Sequence, residues 1–126
     1  MKIGFIGLGN VGAKLAGSLL RNNFDLTVRD LDKNITKDFV SRGAKISNSP
    51  KELAEEVDLI ITCLPSPLIC SEVMESKDGV IEGISKNKIW LEMSTTDESE
   101  IKRLSKLVKA KDAIPMDGPV SGGCHR

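Results

Sequence analysis

Residues 2–30 read KIGFIGLGNVGAKLAGSLLRNNFDLTVRD, and this stretch decides the fold. "KIGFIG" is an apolar run of strand length. Gly7, Gly9 and Gly12 follow in the pattern G-x-G-x-x-G. "NVGAKLAGSLLRNN" then carries Val11, Leu15 and Leu19 at helical spacing. "FDLTVRD" is a second strand ending on Asp30. A strand before the glycines, a helix after them and an acid about 20 residues on are the context that makes the pattern informative. Gly7 permits a tight turn, Gly9 lets a pyrophosphate approach the backbone, and Gly12 lets the helix pack closely on the strand. Backbone N–H groups at the helix start, with the helix dipole, favour phosphate. Asp30 is placed to accept both ribose hydroxyls. A dinucleotide is the expected ligand, and a glycine-rich turn without one is the alternative. Gly17 reads as a close-packing position on the helix.

The same alternation continues to the end of the chain. "KNITKDFVSR" is a helix closed by Gly43, and "AKIS" is a short strand. Ser49-Pro50-Lys51-Glu52 is a helix start, with Ser49 as cap, Pro50 in the first turn and Glu52 reaching back. "DLIITCL" is apolar on both faces, as a buried parallel strand should be. "PSPLICSEVMES" is a short helix and "KIWLEM" a strand. Thr95 or Thr96 is expected to cap "DESEIKRLSKLVKAK", whose inner stripe is Ile101, Leu104 and Val108, with Leu107 adding to it. Asp97 and Glu98 suit that helix's N-terminus, and "AIPMD" is a final strand. Strands alternating with helices imply right-handed crossovers. The expected class is therefore α/β: a Rossmann-type, doubly wound, mainly parallel sheet forming one domain over residues 1–126.

Composition excludes several classes. The 126 residues carry 18 basic and 18 acidic side chains, so the formal net charge is zero, and aromatics make up only 3%. No basic stripe or set of stacking rings points to nucleic acid. No apolar run approaches the ~20 residues that span a bilayer, and no secretory signal is visible. Cys63, Cys70 and Cys124 form no C-x-x-C pair, so neither a structural disulfide nor a zinc site is expected. Cys63 reads as a small buried hydrophobe in a reducing cytoplasm.

"GFIGLGNVGAKLAGSLL" resembles the N-terminal signature of the β-hydroxyacid dehydrogenases, the family typified by 3-hydroxyisobutyrate dehydrogenase. Val11 stands where that signature has Met, and Ser18 where Asn or His is common. "ITCLPSP", "EMSTT" and "MDGPVSGG" agree with three further blocks, so the resemblance covers the whole chain. It implies a cofactor site made by Gly7, Leu8, Gly9, Asn10, Val11 and Gly12 at the pyrophosphate, with Asp30 at the ribose. Leu64 and Pro65 flank the adenosine half, and Thr95 lies near the nicotinamide. Ser121, Gly122 and Gly123 form a turn that anchors a small carboxylate substrate. On the residues alone, "CLP" fits an ordinary strand exit equally well, Thr95 fits a helix cap, and "GPVSGG" fits a plain loop. Each block does follow the C-terminal end of an expected strand, the edge where open α/β sheets bind ligands.

The cofactor is expected to be NAD, with NADP possible. A carboxylate at the end of the second strand repels a 2′-phosphate. Relatives that prefer NADP often place Asn-Arg where this chain has Asp30-Leu31. Asp32 adds negative charge, while Arg29 and Lys33 temper it. The implied reaction is hydride transfer between the nicotinamide and a 3-hydroxy acid such as 3-hydroxyisobutyrate. The family's general-base lysine and its helical substrate and dimer domain lie beyond "PVSGG". No catalytic residue is therefore assigned in this segment, which is expected to be inactive alone and part of a homo-oligomer when whole. Lys86, Lys88, Lys102, Lys106, Lys109 and Lys111 read as solvated surface. His125 and Cys124 follow the substrate turn and read as bystanders or substrate contacts. Two alternatives stand: a non-catalytic nucleotide-binding or interaction module of the same fold, and a 6-phosphogluconate dehydrogenase-like enzyme. The latter needs basic groups for a sugar phosphate, and only Arg126 lies near "GPVSGG".

Overall fold

A computed structural model describes residues 1–93 and 97–117. Its strands are β1 (Lys2–Ile6), β2 (Asp25–Arg29), β3 (Lys45–Ile46), β4 (Leu59–Thr62), β5 (Ile89–Glu92) and β6 (Ile114–Asp117). The helices are α1 (Asn10–Arg21), α2 (Lys33–Ser41), α3 (Pro50–Glu56), α4 (Pro67–Glu75), α5 (Val80–Gly83) and α6 (Glu98–Lys109). The strands form one sheet in the order β3-β2-β1-β4-β5-β6, and every pairing is parallel. This is the doubly wound dinucleotide-binding order, with the reversal of direction between β1 and β4.

Side-chain alternation explains the two layers. Ile3 and Phe5 of β1 join Leu26, Val28, Ala16 and Phe39 in a core under α1 and α2. Ile6, Ile60 and Trp90 join a second core with Leu53, Met74 and Leu104, under α3 to α6. Successive residues of a strand point to opposite faces. A strand buried on both faces is therefore apolar throughout, which is why "DLIITCL" shows no alternation.

Among the described residues, four helix starts carry side-chain caps. Asp32 accepts from the N–H groups of Asn34 and Ile35, Ser49 from Glu52, Ser66 from Ile69, and Asp97 from Ser99 and Glu100. The last of these corrects the expectation of Thr95 or Thr96 as cap. The helix begins at Glu98, so the residue whose oxygen can reach the second and third amides is Asp97. Two further corrections concern helix faces. Leu107 is exposed, while Ile101, Leu104 and Val108 are buried as expected. On α1 the deeply buried positions are Gly12, Ala16 and Gly17 rather than Val11, Leu15 and Leu19. Gly12 and Ala16 let α1 lie close to the sheet, and Val11 stands at its exposed leading end. The four-residue α5 has no counterpart in the sequence reading, because one turn shows no periodicity.

Candidate functional site

The C-terminal ends of β1, β2 and β4 open into a groove of about 770 Å³. That lies within the roughly 300–1,000 Å³ of small-molecule sites. Its floor is the glycine turn between β1 and α1. Gly7 has φ +99°, and a Cβ there would stand 2.2 Å from the Cys63 carbonyl oxygen. A Cβ on Gly12 would stand 2.1 Å from the Gly7 carbonyl oxygen. A Cβ on Gly9 would meet nothing within 4 Å. The three glycines thus divide as the fingerprint requires: two are forced by the protein's own packing, and Gly9 faces open space. Gly17 differs from its sequence reading, since a Cβ there would make ordinary contacts with the ends of Arg21 and Arg42.

The start of α1 is chemically unlike the other long helices. Its cap is Gly9, and no side chain caps it. The first-turn residues Asn10, Val11 and Gly12 line the groove beside Gly7 and Gly9. An uncapped helix N-terminus is a place where an anion replaces the missing cap. Asp30 stands opposite, partly buried. Its Oδ2 accepts from the Leu8 N–H at 2.6 Å and its Oδ1 from the Asp32 N–H at 2.8 Å.

The third wall comes from β4 and α4, where Leu64 and Pro65 line the groove with Ile69 and Val73. The apolar end and the anion-receiving end therefore share one cavity, as a dinucleotide's base and pyrophosphate would require. Arg29 and Lys77 also line it, beside Glu72 and Asp78. Arg29 donates to the Ser47 carbonyl at 3.3 Å.

Of the sequence-expected residues, Gly7, Gly9, Asn10, Val11, Gly12, Asp30, Leu64 and Pro65 come together around this groove. Leu8 is the exception. Its side chain is buried in the core under α1 and α2, and its N–H is held by Asp30. Thr95, Ser121, Gly122 and Gly123, with Cys124 and His125, lie outside the described residues. Two other expectations are corrected. Cys63 is only half-buried, on the groove wall, and Cys70 is the fully buried thiol. Lys88 is not free surface: its ammonium donates to the carbonyls of Ala54 and Glu55 at 2.5 and 2.7 Å, where α3 ends. Burial there holds its pKa below the usual lysine value.

Sequence reading missed one buried polar cluster. Glu92, at the end of β5, is fully buried. Its Oε2 accepts from Thr62 Oγ1 at 2.6 Å and from the Cys70 thiol at 3.2 Å, and Trp90 Nε1 donates to Thr62 Oγ1 at 3.0 Å. Thr62 and Glu92 are register partners, so the hydroxyl and carboxylate meet by strand pairing. Burial, then the Glu92 charge, pushes the Cys70 thiol far up, which keeps it a protonated donor. Cys63 is raised by the same two causes in the same order. The only signal in sequence was an acid closing an otherwise apolar strand.

No helix among the described residues is long and apolar enough to cross a membrane. Comparison with known proteins gives one consistent picture. The family described as the NAD binding domain of 6-phosphogluconate dehydrogenase matches residues 2–126. Mitochondrial 3-hydroxyisobutyrate dehydrogenase of Mus musculus is 39% identical over 121 residues, covering 96% of this chain and 36% of that one. The Homo sapiens enzyme of the same name is 36% identical with the same coverage. The crystal structure of 3-hydroxyisobutyrate dehydrogenase from Salmonella typhimurium superposes with a TM-score of 0.88 at 25% identity, over 99% of this chain and 44% of that one. The chain thus spans about a third of the length of the curated relatives it matches. With its sheet order, glycine turn and these matches, it belongs to the family of NAD-binding domains named for 6-phosphogluconate dehydrogenase, and within that family it is similar to the dinucleotide-binding part of the 3-hydroxyisobutyrate dehydrogenases.

Proposed function

We propose that this chain is the cofactor-holding domain, residues 1–126, of an enzyme that moves a hydride between a nicotinamide dinucleotide and a 3-hydroxy acid such as 3-hydroxyisobutyrate. The observation that carries the reading is the single groove joining an uncapped helix start, the open face of Gly9, Asp30 and the apolar pair Leu64 and Pro65. When bound, the dinucleotide supplies the hydride acceptor or donor. The chain's own residues bind and orient it. The first-turn amides of α1, from Asn10 to Gly12, take the pyrophosphate, Asp30 faces the adenosine ribose, and Leu64 and Pro65 cover the adenosine half. Thr95 serves the nicotinamide end, and Ser121, Gly122 and Gly123 anchor the substrate carboxylate.

NAD is the preferred cofactor. Asp30 and Asp32 put negative charge where a 2′-phosphate would sit, and Arg29 is turned to the Ser47 carbonyl. The general base is not among the described residues. Lys86, Lys102, Lys106, Lys109 and Lys111 are exposed, and Lys88 is committed to α3. The chain alone is expected to bind cofactor weakly and, without the base, to turn over nothing; the whole protein we assign to a homo-oligomer. The free thiols Cys63 and Cys70 suit a reducing compartment, and the cytoplasm is the place we assign.

Calorimetric titration with NAD+ and NADP+, paired with an assay of 3-hydroxyisobutyrate oxidation, tests the reading. Expected are measurable binding, tighter for NAD+, and no NADH formed. Failure to bind either dinucleotide would sink the assignment of the groove. Robust turnover by this chain would sink the assignment of the base elsewhere.

A further inference from the structure

We infer that Asp30 is a positioning residue, whose carboxylate latches the glycine turn in the shape that receives phosphate; this rests on the groove being a dinucleotide site. Asp30 lies 22 residues from Leu8 in sequence and 2.6 Å from its N–H. Immediately before it, the Arg29 carbonyl accepts from the Gly7 N–H at 3.1 Å. Two successive amides of the turn are thus tied to two successive residues at the end of β2. The Leu8 side chain is held from the other side, only 1% exposed among Ala16, Val28 and Phe39. Leu8 is fixed by amide and side chain together, and the next residue is Gly9, the one whose open face meets the ligand.

The other carboxylate oxygen acts on the opposite lip. Oδ1 accepts from the Asp32 N–H at 2.8 Å, and Asp32 is the cap of α2. One side chain therefore joins the turn after β1 to the turn after β2. Hydrogen bonds to an ionised acceptor are about twice as strong as neutral ones. An ionised carboxylate offers about four lone-pair positions, so two backbone bonds leave room for ribose hydroxyls. The latch and the ribose contact are separable roles of one residue.

The test uses ADP and 2′,3′-dideoxyadenosine 5′-diphosphate, titrated into the chain and into Asp30→Ala and Asp30→Asn variants. A latch predicts that Asp30→Ala weakens the dideoxy ligand about tenfold or more, and ADP by at least that factor because the ribose contact goes with it. Asp30→Asn, which keeps one acceptor oxygen, weakens both by less. If Asp30→Ala weakens ADP while the dideoxy ligand binds as to the parent chain, the residue serves only the ribose and the latch is wrong. Amide hydrogen exchange at Leu8 reads the latch without ligand. Protection in the parent chain that falls about tenfold in Asp30→Ala supports it. An unprotected Leu8 in the parent, or unchanged protection in the variant, overturns it. If the parent binds neither ligand, the dinucleotide reading fails and Leu8 exchange decides the latch by itself. If Asp30→Ala does not fold, Asp30→Asn carries both arms.

Discussion

The carbonyl oxygen of Gly7 lies 2.1 Å from the point where a Cβ on Gly12 would stand, whereas a Cβ on Gly9 would touch nothing. Two glycines of one motif therefore answer to different constraints. Gly12→Ala must push backbone aside and is expected to cost about 1–3 kcal/mol of stability, or more where the turn cannot yield. Gly9→Ala sits at φ −68°, a conformation open to any residue. Its effect on stability is expected to stay within about 1 kcal/mol. Its methyl group instead enters the groove and should lower dinucleotide affinity at least about tenfold, the equivalent of 1.4 kcal/mol. Thermal unfolding and cofactor titration on both variants separate the two effects. Equal losses of stability would show that Gly9, too, is held by packing.

Leu31 is 90% exposed and lines the groove one residue beyond Asp30. A substitution there disturbs no core contact. Leu31→Arg places a guanidinium where a 2′-phosphate would arrive, and an arginine matches phosphate with paired donors. NADP+ affinity should rise about tenfold relative to NAD+, on the order of one charge-assisted hydrogen bond. The shift should shrink as salt is raised, because the site is open to solvent. Parallel titrations at two salt concentrations check this. An unchanged ratio of the two affinities would place the adenosine ribose elsewhere than beside Asp30.

The glycine turn was legible in the sequence because its constraints are local. A left-handed φ and a close backbone approach demand glycine whatever surrounds them. The parallel, doubly wound sheet followed from alternation of elements, since parallel strands need crossovers of one hand, whereas the order of its strands is a finding of the structure. Burial of individual polar groups was not legible. Glu92 and Asp30 both close a strand as an acid, yet Glu92 is sealed among Thr62, Cys70 and Trp90 and Asp30 faces a groove. Only the third dimension separates them. The cap of α6 was missed for a related reason. Thr95, Thr96 and Asp97 are all good caps, and the choice depends on where tertiary packing starts the helix.

Glu92 joins three elements through one oxygen, with Thr62 on β4, Cys70 on α4 and its own β5. Glu92→Ala would leave two buried donors without that acceptor. The expected cost is about 2–4 kcal/mol, from unsatisfied donors and the cavity together. Glu92→Gln keeps an acceptor oxygen of the same reach and is expected to cost less than half as much. Trp90 is the one tryptophan in the chain, and its indole donates to Thr62 in this cluster. Its fluorescence should therefore shift in Glu92→Ala well below the unfolding transition. A spectrum identical to the parent's would mean that the cluster does not communicate with the indole.

Cys70 sets how stability responds to alkali. Its thiol is held far above the usual range, first by burial and then by the Glu92 charge. A group whose pKa is raised by folding keeps its proton in the folded state while the unfolded chain loses it. The stability linked to that proton is complete below the unfolded thiol pKa of about 8.5 and falls as pH rises beyond it. The slope approaches about 1.4 kcal/mol per pH unit for one such group. Cys63, raised in the same direction, adds to the fall. Denaturant unfolding at a series of pH values from neutral to alkaline should show a falling midpoint with an unchanged denaturant dependence. Cys70→Ala should lower stability at neutral pH through its lost packing, yet flatten the alkaline limb. A limb equally steep in that variant would assign the loss to groups other than Cys70.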